Sequence, residues 1–148
     1  MRHFSVLLSI VLALLMIPSN AFSSFDPRGK ERLLGKLTSA NMNSTADQAI
    51  VMGSSRYIIR RIVVENASTS LTLAVGGFYT AASKGGTAIV ANTQIYSGLT
   101  ASSKFIDLTL AAILATDVRT ETTLYFSLTT GQGSAATANI SIYGDDLT

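Results

Sequence analysis

The segment GGFYTAASKGG, residues 76–86, has the composition of a loop that could bind phosphate, with Lys84 between two glycine pairs. A phosphate-binding loop of the Walker type needs the pattern GxxxxGK[ST] between a strand and a helix. Here Lys84 precedes the second glycine pair, and the residues that follow, TAIVA, are typical of a strand. The glycines therefore predict backbone turns instead: a hairpin turn at Gly85-Gly86 and a bulge or tight bend at Gly76-Gly77.

Acid–base and metal chemistry have few other residues available. The chain has no cysteine, and its one histidine, His3, lies in the N-terminal leader. This excludes disulfides, zinc thiolate sites and thiol nucleophiles and, if the leader is removed, histidine-based triads. Asp145-Asp146 could assist a calcium ion, but without further spaced oxygen ligands they indicate a solvated tail.

The carboxylates do not indicate glycoside hydrolysis either. That reaction needs two facing acids, and the 9 acidic residues fall mostly in predicted turns and at the ends of the chain. We therefore predict that the protein is not an enzyme, with no catalytic residues, no metal and no cofactor.

The composition favours one compact domain. A chain of 148 residues is long enough for a single domain with its own core. Hydrophobic residues make up 47% and charged residues 14%, which is too apolar for a disordered chain. The net charge is only +2, from 11 basic and 9 acidic residues, so a nucleic-acid partner is not expected.

The first residues have the three regions of a secretory signal peptide. Arg2 and His3 form a positive start, Phe4–Ile17 an apolar stretch, and Ser19-Asn20-Ala21 offers small residues for cleavage. We predict a signal peptide over residues 1–21. A helix that spans a membrane needs about 20 apolar residues, and this apolar stretch is shorter. We therefore expect contact with the membrane only if the leader stays uncleaved.

Residues 22–46 are predicted to be a polar linker or N-terminal arm. Within it, Glu31–Leu37 could form a short amphipathic helix with its leucines on one side. Gly35 weakens that helix by about 1 kcal/mol relative to alanine. We predict an extension that packs lightly on the domain, with a docking arm as the alternative, because one or two helical turns are marginal alone.

From Asp47 the pattern changes to that of strands, and residues 47–148 are predicted to form the folded domain. The spacing predicts an all-β fold, an antiparallel β-sandwich or a jelly-roll-like arrangement. The loop through Gly131-Gln132-Gly133 is predicted to join the last two strands as a hairpin. The predicted strands are Gln48–Met52, Arg56–Asn66, Leu71–Val75, Gly77–Ala81, Thr87–Val90, Gln94–Tyr96, Lys104–Leu110, Thr122–Thr129 and Ala136–Tyr143. Ala111–Ala115 is ambiguous between a helical turn and a strand.

Side-chain alternation predicts which strand faces are buried. Three strands have one apolar face each, formed by Ile106, Leu108 and Leu110, by Leu124, Phe126 and Leu128, and by Ala138, Ile140 and Ile142. The strand RYIIRRIVVEN is apolar on both faces, each interrupted by an arginine, which predicts a central strand covered on both sides. A buried arginine there would need Asp107 or Glu65 as partner; otherwise the arginine heads reach solvent over their stems.

Five runs within residues 33–144 resemble small β-rich proteins encoded by tailed bacteriophages. They are SANMNSTADQAI, YIIRRIVVENAS, GGFYTAASKGGTAIV, KFIDLTLAA and LYFSLTTGQGSAATANISIYG. The resemblance implies a virion component, either a decoration protein or one associated with the head or tail, and it brings no functional residues with it.

We predict a non-enzymatic structural or interaction protein that works through surface contacts, with copies of itself or with virion proteins. The alternative is a secreted bacterial adhesin or carbohydrate-binding module whose tyrosines stack on glycans. The predicted location is accordingly a virion or the extracellular space, with export if the signal is used. The candidate contact residues are Tyr79, Tyr96, Tyr125 and Tyr143.

Overall fold

The computed structural model describes residues 31–100, 103–111 and 116–148. Within these ranges the regular elements are all β-strands. The strands are β1 (Arg32–Asn41), β2 (Gln48–Val51), β3 (Tyr57–Glu65), β4 (Val75–Ala81), β5 (Gly85–Val90), β6 (Phe105–Asp107), β7 (Thr123–Thr130) and β8 (Thr137–Asp146). The prediction of an all-β, antiparallel fold is confirmed. The predicted signal peptide lies outside the described residues, among which no helix is long and apolar enough to span a membrane.

The strands form two antiparallel sheets of four. The first sheet has the order β1-β8-β3-β6 and the second the order β2-β7-β4-β5. The pairs β1–β8, β2–β7, β3–β6 and β4–β5 are those of one long hairpin that turns between β4 and β5. Rolling up that hairpin adds the pairs β3–β8 and β4–β7. Consecutive strands therefore alternate between the two sheets, except at β4 and β5.

The predicted hairpin between the last two strands is wrong. β7 lies in the second sheet and β8 in the first, so the Gly131-Gln132-Gly133 loop carries the chain from one sheet to the other. The buried Gln132 holds this crossing in place, because its Oε1 accepts hydrogen bonds from the N–H groups of Leu73 at 3.1 Å and Ala74 at 3.3 Å. Glycines in a loop indicate that the chain reverses direction there, but they do not determine with which strand the strand after the loop pairs.

Side chains of both sheets share one hydrophobic core. Phe126 contacts two other rings in it, that of Phe78 at 5.1 Å between centroids and that of Tyr96 edge-on at 6.0 Å. The alternation in β7 and β8 is confirmed, since the predicted inward residues are all buried: Leu124, Phe126, Leu128, Ala138, Ile140 and Ile142. In the third predicted face, Leu108 is buried while Ile106 and Leu110 are partly buried against the core.

The two apolar faces of β3 are explained by a β-bulge. The pairing of β3 with β8 shifts by one residue between Ile59 and Arg61, which reverses the side on which alternate residues lie. The core-facing residues on the two sides of the bulge are Tyr57, Ile59, Ile62 and Val64. A second cover over the strand, from the N-terminal segment or a neighbouring subunit, stays a prediction, and Arg60 and Arg61 both reach the surface.

The predicted helix over Glu31–Leu37 is also wrong, because these residues enter β1, an edge strand that pairs with β8. Gly35 fits a close approach between β1 and the end of β2, where a Cβ would lie 2.9 Å from Met52 Sδ. A bridge between Gly35 and Met52 and the hydrogen bond from Gly53 N–H to Leu34 O (2.7 Å) close this side of the molecule. The sheets therefore begin at Arg32, ahead of Asp47.

The turn prediction for the glycine-rich segment is confirmed. β4 and β5 form a hairpin whose turn holds Ser83, Lys84 and Gly86 at positive φ. The pairing of β4 with β7 shifts next to Gly76, as expected for a bulge. A Cβ at Gly77 would collide with the backbone oxygen of Val90, so this glycine allows the hairpin strands to approach closely.

Two predicted strands are not regular strands. Gln94–Tyr96 is reduced to a single bridge between Ile95 and Val75, and Leu71–Val75 contributes only Val75 to β4. The predicted strand Lys104–Leu110 is shortened to β6. It is followed by Leu108 N–H donating to Ile62 O in the first sheet and Ala111 N–H donating to Ile89 O in the second. This segment therefore passes from one sheet to the other on the side opposite β1 and β2.

Candidate contact surface

The first sheet aligns its outward side chains in three rows. Outward residues are those that alternate with the buried ones of β3 and β8. The middle row crosses all four strands as Lys36, Ser141, Val63 and Asp107. The row on one side contains Leu33, Tyr143 and Arg61, and the row on the other side contains Asn139, Glu65 and Phe105. We refer to the residues of these three rows as the outer face.

Two large apolar side chains of the outer face are exposed at diagonally opposite corners. Leu33 on edge strand β1 is 53% exposed, and Phe105 on edge strand β6 is 59% exposed. Val63 and Ser141, in the middle of the face, are buried. The exposed apolar groups of the face therefore lie at its corners.

Arg61 stacks on Tyr143 in the same row. Its guanidinium carbon lies 5.1 Å from the ring centroid, within the range of a cation–π contact. The Arg61 Nε is also 3.6 Å from a carboxylate oxygen of Glu31 and 3.7 Å from one of Asp107. Both distances are too long for hydrogen bonds, so these carboxylates orient the guanidinium without occupying its donors.

The other two charged groups of the outer face lack such neighbours. Among the described residues, neither Lys36 nor Glu65 has an oppositely charged group within 4.0 Å. Of the two acidic partners predicted for an arginine of β3, Asp107 contacts Arg61 at the surface and Glu65 does not. The face thus carries two positive and two negative side chains, with Lys36 and Asp107 on opposite edge strands of the same row.

The adjacent carboxylates near the C-terminus hold neighbouring strands together. Asp145 Oδ2 accepts hydrogen bonds from Arg60 Nε at 2.9 Å and Nη2 at 2.6 Å, across the β3–β8 pair. Asp146 lies 3.5 Å from Arg32 on β1 and accepts two hydrogen bonds from Thr148, which lower the pKa of its carboxyl group. Within the described ranges, no three metal-ligating side chains come together.

Two of the four tyrosines predicted as contact residues are buried, so their predicted exposure is wrong. Tyr96 packs in the core against Phe126, and its hydroxyl donates to Gly76 O at 3.2 Å. Burial raises the pKa of Tyr96 strongly. Tyr79 is only 4% exposed. In a chain without tryptophan, tyrosine rings supply part of the large apolar volume that the interior needs.

The other two tyrosines lie on outward faces and are half-buried. Tyr143 belongs to the outer face of the first sheet. Tyr125 lies on the outside of the second sheet, paired with Ala49 on one side and with Tyr79 on the other. The Tyr79 hydroxyl is buried without a hydrogen-bond partner among the described residues, and its pKa is raised by burial and by nearby Asp47.

An open groove of about 490 Å³ runs beside edge strand β5. Its lining is mostly apolar and includes no titratable side chain, so it has no group for acid–base chemistry. The lining residues are Ala88, Ala91, Thr93, Gln94, Ile95, Thr109, Leu110 and Ala111.

Comparison of the chain with profiles of known protein families, with curated proteins and with solved structures finds no match. The resemblance to phage structural proteins therefore stays a prediction. Sequence reasoning missed Leu33, Lys36 and Arg61 as members of one surface. Alternation placed Phe105 and Asp107 outward, but only the strand register shows which residues share a row.

Proposed function

We propose that this protein is a non-enzymatic structural protein of the virion type, with a jelly-roll β-sandwich fold, that acts through protein contacts of its outer face. The observation that carries the proposal is the content of that face. It combines an arginine stacked on a tyrosine, two exposed large apolar side chains and charges of both signs.

The strand order supports the jelly-roll part of the proposal. An eight-stranded jelly roll is a long hairpin rolled into two packed four-stranded sheets, and the orders β1-β8-β3-β6 and β2-β7-β4-β5 follow from such rolling. Jelly rolls form viral capsid and lectin domains. Because a fold does not determine a function, the argument for protein contacts rests on the outer face itself.

Three residues of the outer face, Tyr143, Phe105 and Arg61, are of types that protein interfaces favour. Tyrosine, phenylalanine and arginine are enriched in interfaces, and they dominate the positions where truncation weakens binding most. Burying an exposed leucine or phenylalanine fully contributes about 1.5–3 kcal/mol, so Leu33 and Phe105 are available as anchors. Arg61, held over Tyr143, loses less side-chain freedom on binding than an unrestrained arginine would.

The sheet edges are less suited to contacts than the faces. The side chain of Gln48 occupies backbone groups of Asn41 at the end of β1, and the Gly35–Met52 bridge joins β1 to the chain that follows β2. On the opposite side, Ala111 N–H already donates to Ile89 O on β5. Such coverage is how natural proteins avoid unwanted pairing of edge strands, and it leaves the faces as contact surfaces.

One observation favours a second candidate, a secreted adhesin or carbohydrate-binding module. The half-buried ring of Tyr125 lies between Ala49, which is small and exposed, and Tyr79, so one side of the ring has space for a sugar. Stacking of a sugar on Tyr125 would be the mode of binding. This surface is on the second sheet, so it can be tested separately from the outer face.

The test of the proposed function is the composition of virus particles. Particles purified on a density gradient from a culture that carries the gene are expected to contain this chain, detected by peptide mass spectrometry and by a gold-labelled antibody. The intact mass of the chain also shows whether residues 1–21 are removed. A chain found only free in the medium, and retained by a glycan array through Tyr125 but not in a Tyr125→Ala variant, would instead support the second candidate.

A further inference from the structure

We propose that the outer face binds a second copy of this chain, face to face, across a two-fold axis that runs parallel to the strands midway between β8 and β3. This inference rests on the proposed function and names the partner of the outer face. The strand register, the charge pattern and the dimensions of the face carry it.

The register determines which residues would meet. A two-fold axis parallel to the strands places β1 over β6 of the second copy and β8 over β3 of the second copy. Within the middle row, Lys36 then faces Asp107 of the second copy, and symmetry repeats this contact. In the row beside it, Tyr143 faces Arg61 of the second copy, so the stacking seen within one chain would continue across the interface.

The charges favour an axis parallel to the strands. A perpendicular axis in the same plane would pair Arg61 with Glu65 of the second copy. However, it would place Lys36 over itself and Asp107 over itself, which brings like charges together twice. The axis parallel to the strands replaces both repulsions with ion pairs, and it places Glu65 opposite the neutral Asn139. Lys36 has no acidic group within 4.0 Å among the described residues, so the second copy would supply its counter-ion.

The face is large enough for such a contact. The strands of this sheet have 10, 10, 9 and 3 residues, and at about 4.8 Å between strands and about 3.3 Å per residue they cover roughly 500 Å². A standard interface buries about 800 Å² of accessible surface on each partner, which is of the same order.

The twist of the sheets leaves the edge contacts within reach. Stacked sheets cross at up to about 30°, and an edge strand lies about 7 Å from the axis, so the crossing displaces its residues by roughly 3.5 Å. The four-carbon stem of Lys36 spans a displacement of that size. Leu33 and Phe105 then lie over the edges of the second copy and lose part of their exposure.

The absence of cysteine from the chain allows a direct test. The variant carries both Lys36→Cys and Asp107→Cys. Within one chain the Cα atoms of these positions are separated by three strand spacings, about 14 Å, whereas a disulfide requires Cα atoms within about 7 Å. A disulfide within one chain is therefore excluded, and facing cysteines on stacked sheets, about 10 Å apart, also lie beyond disulfide reach, so a short bis-maleimide is used as crosslinker. Treating the chain produced from its complete gene with this reagent is expected to convert most of the double variant to covalent dimer. Lys36→Cys or Asp107→Cys alone should crosslink at least tenfold less, because the axis holds equal positions about 14 Å apart.

A charge exchange tests the same contact without crosslinking. Lys36→Asp or Asp107→Lys alone is expected to raise the dimer dissociation constant at least tenfold in sedimentation equilibrium. The double exchange should lower it again by at least threefold, but not to the original value, because a lysine at position 107 lies beside Arg61. Lys84→Asp, at the hairpin tip of the second sheet, is the matched control and should leave dimerisation unchanged.

The proposal is overturned if the chain is a monomer at millimolar concentration, or if the single-cysteine variants crosslink as well as the double variant. It is also overturned if the single exchanges leave the dissociation constant unchanged. A monomer that is nevertheless found in virus particles would contradict the dimer proposal and still support the proposed function. A dimer that shows the crosslink but is absent from virus particles would support the dimer and contradict the proposed function.

Discussion

The side-chain amide of Gln48 hydrogen-bonds both backbone groups of Asn41, as a neighbouring strand would. Asn41 N–H donates to Gln48 Oε1 at 2.7 Å, and Gln48 Nε2 donates to Asn41 O at 2.9 Å. One side chain thus satisfies the end of edge strand β1 and ties it to the start of β2.

Replacing Gln48 with alanine is expected to lower the free energy of unfolding by about 1 kcal/mol, because two partly solvated hydrogen bonds are lost. It should also increase concentration-dependent aggregation, since it uncovers backbone groups at a strand end. Urea denaturation and light scattering measure the two effects. Gln94→Ala is the control, because among the described residues the Gln94 side chain donates its one hydrogen bond to the next residue, and it should change the free energy by less than about 0.5 kcal/mol.

Gly77→Ala is expected to lower the free energy of unfolding by about 2–3 kcal/mol. The added methyl group would collide with the backbone oxygen of Val90, which can give way only if the β4–β5 hairpin opens. Chemical denaturation is the measurement. Gly53→Ala is the matched control, since the nearest atom to its Cβ is Leu34 O at 3.5 Å and its φ is not positive, so it should be almost neutral. Equal losses in both variants would contradict this explanation.

Stability is expected to fall as the pH rises from 10 to 12, in part through Tyr57. Burial, with a contribution from Glu121, raises the pKa of Tyr57 to about 12, whereas in the unfolded chain tyrosine ionises near 10. Below the unfolded pKa this contribution to stability is complete. It is lost as the pH rises through the folded pKa, because the unfolded state releases its proton first.

The variant Tyr57→Phe isolates this contribution. At neutral pH it should be about 1 kcal/mol less stable, because the hydrogen bond from the Tyr57 hydroxyl to Glu121 O (2.8 Å) is lost. At pH 12 the difference should shrink to zero or reverse. Denaturation of both proteins at each pH measures it, and the difference between them removes the contributions of Tyr79 and Tyr96. A difference that stays constant with pH would show that Tyr57 titrates normally.

Phe105→Asp is expected to weaken assembly while leaving the fold stable. Phe105 is 59% exposed, so its replacement should change the free energy of unfolding by no more than about 0.5 kcal/mol. Ile95, also 59% exposed but next to the second sheet, offers the control Ile95→Asp. Light scattering should show a lower average mass only for the Phe105 variant. The same loss in both variants would indicate non-specific apolar contact instead of a defined surface.

The strands β2 and β7 could be predicted from the sequence because they pair with each other without a shift and keep a period of two. The predicted Thr122–Thr129 and Gln48–Met52 correspond to β7 and β2 to within one residue at each end. The strand β1 could not be predicted from the sequence, because its pairing with β8 shifts twice and Ser39 has a positive φ. Each shift breaks the alternation, and the resulting spacing of Leu33, Leu34 and Leu37 imitates that of a helix.

The outer face could not be predicted because it depends on which strands are neighbours. Lys36 and Asp107 are far apart in the chain and belong to one row only because β8 and β3 lie between β1 and β6. The prediction that the four tyrosines are exposed is partly wrong for a related reason. Tyr79 and Tyr96 have the residue type of a contact site, but both are buried in the folded chain.

The position of β8 has a consequence for synthesis. β8 leaves the ribosome last of the eight strands, yet it lies between β1 and β3 in the first sheet. That sheet cannot assemble on the nascent chain before Thr137–Asp146 has been translated, and the wide separation of its partners along the chain makes folding slow. Until then β1 and β3 stay without the strand that joins them, so a premature stop codon before Thr137 would leave β1 without a partner in this sheet and β3 paired with β6 alone.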